Sequence, residues 1–133
     1  MKCLIVEDEF TARFLLQKYL SDYGDCFVAV NGSEAVQAFQ EALNEQKPYN
    51  LICLDVMMPE MDGHETLKTI RHIESEHGFA GLDCVKIIMT TAMSDSRNVM
   101  GAFNGGCEAY LVKPIAKKDL IEEIEKLGLL SKC

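Results

Sequence analysis

The sequence predicts an α/β fold: a doubly wound, three-layer (βα)5 arrangement with a parallel five-stranded sheet between two layers of helices. Three observations lead there. Five short apolar runs of strand length alternate with segments whose apolar residues recur at helical spacing. The run Leu51 to Leu54 is apolar throughout, as in a strand buried on both faces. Alternation of this kind implies parallel β-α-β units with helices on both sides of the sheet.

The elements follow in order. Lys2 to Val6 forms a first strand that ends in Glu7-Asp8-Glu9. Phe10 to Tyr23 carries Ala12, Leu15, Leu16, Tyr19 and Leu20 on one helical stripe, and Gly24 is placed to terminate it. Asp25 to Val30 is the second strand. Asn31, with Glu34 three residues on, has the pattern of a capping box for a second helix whose inner face is Ala35, Val36, Phe39, Ala42 and Leu43. Beyond Pro48 comes the central strand, ending at Asp55. A third helix, about 64 to 74, turns Leu67, Ile70 and Ile73 inward. Residues 75 to 83 hold Gly78 and Gly81 without periodicity, so a loop is expected. Cys84 to Thr90 is the fourth strand, with Thr91 at its end. Ser94 is placed to cap a fourth helix with Val99, Met100 and Phe103, closed by Gly105-Gly106. Ala109 to Val112 is the fifth strand and stops at Lys113-Pro114. Lys117 to Leu127 is the fifth helix, with Leu120, Ile121, Ile124 and Leu127 inward and no capping side chain at Ala116.

Composition sets the outer limits. The 133 residues suit one domain, expected over 1–133 with no separate output domain, and 48% hydrophobic content is that of a globular chain. A net charge of −8 argues against nucleic-acid and anionic-membrane surfaces, so direct DNA binding and membrane association are not expected. No apolar run nears the ~20 residues of a membrane span, and the acidic turn after Val6 does not fit a signal peptide. A cytoplasmic location is the expectation. The six cysteines, at 3, 26, 53, 84, 107 and 133, form no Cys-x-x-Cys pair. They are expected reduced, with Cys3, Cys26 and Cys53 as small buried hydrophobes and Cys133 exposed.

Ligands and chemistry gather beyond the carboxyl ends of strands in open parallel sheets. A lone strand-end Asp more often caps a turn, but here the strand ends form a set: Glu7 and Asp8, Asp55, Thr91 and Lys113. Carboxylates about 5 Å apart repel by about 3 kcal/mol per pair at an effective dielectric near 20. Three of them need a cation, a proton or Lys113. Hard oxygen donors suit Mg²⁺ or Mn²⁺. Carboxylate, divalent ion, hydroxyl and ammonium together make a site for phosphoryl transfer.

With these residues in hand, the chain resembles the response-regulator receiver domains of two-component signalling, and more narrowly their stand-alone, CheY-like members, over about residues 2 to 127. The resemblance rests on Val6-Glu7-Asp8, on Leu54-Asp55-Val56-Met57-Met58-Pro59-Glu60-Met61-Asp62-Gly63, on Thr91-Ala92, and on Tyr110-Leu111-Val112-Lys113-Pro114. It implies a flavodoxin-like strand order 2-1-3-4-5. It implies that Asp55 accepts a phosphoryl group from a sensor histidine kinase or phosphotransfer protein, in final or relay fashion, including an intermediate or phosphate-sink role. Asp8, Asp55 and the main-chain carbonyl of Met57 would ligate Mg²⁺ (or Mn²⁺), with Glu7 acting through water. Thr91 and Lys113 would bind the phosphoryl oxygens, and Thr91 and Tyr110 would form the switch. Lys113-Pro114 is a candidate for a cis peptide. Output would leave through the face of the fourth helix, fifth strand and fifth helix. Met57 and Met93 would flank the path of hydrolytic water, where weakly accepting thioethers imply a long-lived phosphoryl group.

Two other classes compete. A flavin-binding electron carrier of similar strand order needs a phosphate-cradling loop after the first strand, where this chain has repelling acids. An Asp-nucleophile phosphatase needs a second acid two residues after the nucleophile, where this chain has Met57.

Overall fold

The structure, a computed structural model, describes residues 1–92 and 106–130. The sheet is β1 (Lys2–Val6), β2 (Asp25–Ala29), β3 (Leu51–Asp55), β4 (Lys86–Thr91) and β5 (Ala109–Val112), in the order β2-β1-β3-β4-β5. All four pairings are parallel. The helices are α1 (Phe10–Leu20), α2 (Gly32–Asn44), α3 (Gly63–Glu76) and α4 (Lys117–Lys126). The helix expected to begin at Ser94, including its Gly105 end, and the side chain of Cys133 lie outside the described residues.

Period-two alternation sorts the strands into two cores. Leu4, Val6, Ile52, Leu54, Ile87 and Met89 meet Phe39 of α2 and Leu67 and Ile70 of α3. Cys3, Ile5, Leu51, Cys53 and Ile88 meet Leu16 and Leu20 of α1 and Leu120 and Ile124 of α4. Every residue of β3 is buried, as its unbroken apolar run requires.

Local signals shape the ends. Asn31 caps α2 by accepting from the Glu34 N–H, and the Glu34 carboxylate reaches back to the Val30 N–H, one residue ahead of the usual partner. Asp62 caps α3 through the Glu65 N–H. α4 starts at Ala116 with no side-chain cap. α1 is capped by Glu9, whose carboxylate accepts from the Thr11 and Ala12 N–H groups.

Several expectations change. α1 stops at Leu20, short of Tyr23, and Leu15 is exposed rather than inward. Gly24 does not end the helix. It lets the chain pass Met1, whose carbonyl a Cβ at Gly24 would meet at 1.9 Å and which accepts the Asp25 N–H. β2 ends at Ala29, and as an edge strand it leaves Phe27 and Val28 exposed and Cys26 half-buried. α3 runs on to Glu76, past the expected end, and the loop closes in a 3-10 turn over Gly81–Asp83. Glu74 is fully buried there. It accepts from Arg71 and from the Val85 N–H, while Arg71 also pairs with Glu108, so the end of α3 is tied to β4 and β5. No helix among the described residues is long and apolar enough to cross a membrane.

Gly63 determines how closely α3 approaches the end of β3. A Cβ there would lie 2.4 Å from the Asp55 carbonyl oxygen and 2.7 Å from Val56 Cα, and its N–H donates to the Val56 carbonyl. Backbone cannot yield as a flexible side chain does. Gly63→Ala is therefore expected to destabilise by about 2 kcal/mol or more in urea denaturation. Gly78→Ala, at φ +78° with nothing within 4 Å of the added carbon, should lose only about 1 kcal/mol. Equal losses at the two positions would contradict the packing role of Gly63.

Candidate phosphoryl and metal site

The carboxyl ends of β1, β3 and β5 bring Glu7, Asp8, Asp55 and Lys113 together. One carboxylate oxygen from each of Glu7, Asp8 and Asp55 lies within 4.8 Å of the others. Glu7 and Asp55 are buried and Asp8 is exposed. Lys113 Nζ donates to Glu7 Oε1 and lies 3.3 Å from Asp55 Oδ1. The Met57 N–H donates to Asp55 Oδ1 over 3.3 Å. The Glu9 N–H donates to Glu7 Oε2 over 3.1 Å.

Thr91 ends β4 in register with Val112, is fully buried, and accepts the Lys113 N–H at its carbonyl. The Lys113-Pro114 peptide is cis. Tyr110 on β5 is half-buried and packs against the α2/α3 core. The Met57 side chain is 59% exposed. Met93 lies outside the described residues.

Three residues near the site escaped the sequence reading. Glu9 stood only as the last residue of the acidic run after β1; its carboxylate caps α1, and its bond from the Ala12 N–H holds it below the usual carboxylate range. Arg13 Nη1 donates to the carbonyl oxygens of Glu7 over 3.0 Å and Asp8 over 3.4 Å, pinning the backbone that carries two acids. Its helical position one turn past the cap was the only signal available. Thr90 pairs in register with Asp55 and is buried, with its hydroxyl unpartnered among the described residues.

The electrostatics favour a cation. Three carboxylates face one ammonium, and each carboxylate pair at this spacing repels by about 3 kcal/mol at a dielectric near 20. Burial pushes the Glu7 carboxyl up to about 7, with Asp55 adding to the shift and the bond from Lys113 opposing it. For Lys113, burial acts downward but the Glu7 bond and the Asp55 charge outweigh it, so the ammonium is held more tightly than usual. A hard, oxygen-only donor set with one exposed member fits Mg²⁺ or Mn²⁺, which retain waters.

A family model for the response regulator receiver domain matches residues 3–125. The chain belongs to this family. Receivers are signalling domains of two-component systems, not turnover enzymes in the ordinary sense. This receiver is similar to the chemotaxis protein CheY4 of Vibrio cholerae, with TM-score 0.79, 28% identity, and 95% and 97% of the two chains covered. It is also similar to a chain in the co-crystal of the Saccharomyces cerevisiae phosphotransfer protein Ypd1 and the receiver domain of its response regulator Ssk1, with TM-score 0.84, 30% identity, and 96% and 88% covered. The receiver domain of the histidine kinase CKI1 from Arabidopsis thaliana, complexed with Mg²⁺ and BeF₃⁻, aligns with TM-score 0.78 and 26% identity over 94% of this receiver and 89% of that chain. The transcriptional regulatory protein ResD of Bacillus subtilis is 34% identical over 95% of this receiver and 47% of its own length. The receiver spans about half or less of the length of such curated relatives.

Burial of Glu7 has a measurable pH signature. A carboxyl that keeps its proton to about pH 7 when folded, but only to about 4.5 otherwise, destabilises the fold as pH rises through that window. Without divalent ions, Glu7→Gln is expected to melt above wild type at pH 8, with the gap closing toward pH 5. A variant that melts below wild type at pH 8 would show instead that the ion pair with Lys113 dominates.

Proposed function

We propose that Asp55 accepts a phosphoryl group from the phosphohistidine of a sensor histidine kinase or phosphotransfer protein, and that the phosphorylated chain alters its binding to an output protein. The observation that carries this is the buried Asp55 carboxylate, held at Oδ1 by Lys113 and the Met57 N–H, inside a three-carboxylate cluster. An Asp55 oxygen attacks phosphorus, the phosphorus–nitrogen bond to histidine breaks, and an acyl phosphate forms. Lys113 shifts from the carboxylates onto the incoming phosphoryl oxygens, where negative charge gathers. The Thr91 hydroxyl binds another phosphoryl oxygen. Asp8, Asp55 and the Met57 carbonyl would hold Mg²⁺, with Glu7 acting through water, and the ion would supply positive charge beside the transferring group.

A protein donor is supported beside the site. Phe10 and Phe14 stack on α1 at 68% and 53% exposure. Also on α1, Ala12, Leu15 and Leu16 line a groove of about 380 Å³ together with Lys113, Pro114 and Ile115. Exposed aromatics of this kind suit a helical partner. The likeness to the Ypd1–Ssk1 co-crystal chain favours a second reading, in which the chain is an intermediate or phosphate sink in a phosphorelay. Return of the phosphoryl group to a phosphotransfer protein distinguishes the two. For output, Tyr110 on β5 and Lys117 and Lys118 at the start of α4 lie along the proposed face. Thr91 and Tyr110 act there as the switch that shifts a pre-existing equilibrium.

Intact-mass measurement after incubation with acetyl phosphate and Mg²⁺ tests the assignment. Wild type should gain one phosphoryl group, and Asp55→Asn or excess chelator should abolish the gain. Equal labelling of Asp55→Asn would overturn it. After donor removal, Met57→Asn should lose the group about 10-fold faster than wild type, because an amide orients water where the thioether does not.

A further inference from the structure

We infer that Cys3 and Cys26 form a redox-modification site, a dithiol that closes to a reversible disulfide between β1 and β2. The two residues are register partners on adjacent parallel strands, and their sulfurs lie 3.3 Å apart. Neighbouring strands run about 4.8 Å apart, which lies within the Cα separation that a disulfide spans. Bond formation requires the sulfurs to close by only about 1.2 Å, to 2.05 Å. β2 is an edge strand with solvent on one side, so it has room to yield.

The two thiols differ in a way that orders the chemistry. Cys26 is half-buried and reachable. Cys3 is fully buried against Leu16 and Leu20. Burial, with the Cys26 sulfur beside it, keeps the Cys3 thiol protonated well above its ordinary range, so it is not the entry point. The oxidant class is a low-molecular-weight disulfide such as glutathione disulfide. The Cys26 thiolate attacks one of its sulfurs, forming a mixed disulfide and releasing one small thiolate. Cys3 then gives up its proton, attacks the Cys26 sulfur and expels the second small thiol. The protein loses two hydrogens and two electrons, and the small disulfide becomes two thiols.

Among the other described cysteines none has this geometry. Cys53 is buried on β3 in register with Ile5, and Cys107 belongs to the opposite core. A bridge between directly opposed strand residues sits at the tight end of disulfide geometry. Such bonds are the easily reduced, regulatory kind. The bond would close a ring of residues 3 to 26 that contains α1, Glu7 and Asp8. It lies at the amino end of the strands, away from the acids.

The full chain is incubated with glutathione disulfide at pH 8, acid-quenched, unfolded in guanidinium chloride, alkylated with N-ethylmaleimide, and analysed by intact mass and peptide mapping. Of the six thiols, wild type should lose those of Cys3 and Cys26 without keeping a glutathione adduct on either, and should yield a Cys3–Cys26 linked peptide. Its melting temperature should rise by about 5 °C and fall back with dithiothreitol. Cys26→Ser, checked for folding by circular dichroism, should keep the Cys3 thiol free and show no rise. Six free thiols in wild type, a glutathione adduct left on Cys26, or a link to another cysteine would each overturn the inference.

Discussion

Mutual repulsion of three carboxylates is the constraint on which the rest of this structure depends. Glu7, Asp8 and Asp55 place oxygens within 4.8 Å of one another, two of them from buried side chains. Such a cluster costs stability on its own, since each carboxylate pair repels. Lys113 answers part of the charge by bridging Glu7 and Asp55, and the raised affinity of Glu7 for its proton answers more. On the proposed reading, both are substitutes that a divalent ion and a phosphoryl group would displace. The resting site is thus stabilised by interactions of the same kind that phosphorylation would redistribute.

The fold holds that cluster with backbone as much as with side chains. β1 and β3 lie side by side in the centre of the sheet, so Glu7, Asp8 and Asp55 emerge from adjacent strand ends. Arg13 clamps the carbonyls of Glu7 and Asp8, and Glu9 fixes the start of α1 immediately after them. Gly63 lets α3 begin against the backbone of Asp55 and Val56. The acids therefore sit on rigid elements, and the apolar cores on both faces stabilise an arrangement that charge alone would scatter.

Much of this was legible in the sequence because it depends on short-range patterns. The unbroken run before Asp55 foretold a doubly buried strand, and the acids and the lysine could be counted at strand ends without coordinates. Most of what escaped depends on neighbours distant in sequence. The run Cys26 to Val30 looks like core, but only the strand order makes it an edge, where Phe27 faces outward against Tyr49 beneath Lys2. Gly24 looked like a helix stop, whereas its need comes from Met1 crossing over it. Glu9 resembled its acidic neighbours, and only the start of α1 shows that its carboxylate is engaged as a cap. Glu74 carried no mark of burial: Arg71, three residues earlier on α3, reads as an ordinary surface pair, and the Val85 N–H meets Glu74 only once α3 packs beside β4.

The most direct test of the charge balance is Mg²⁺ titration calorimetry on wild type and Lys113→Met, beside acetyl phosphate labelling of the same samples. If Lys113 is a displaceable counter-ion that acts on the phosphoryl group, the variant binds Mg²⁺ at least as tightly as wild type, because a competing cation is gone. Its labelling rate at saturating Mg²⁺ nevertheless falls by about 100-fold, the usual effect of removing one donor from developing charge. Loss of Mg²⁺ binding together with labelling would contradict this, and would make Lys113 a structural prop for the acids instead.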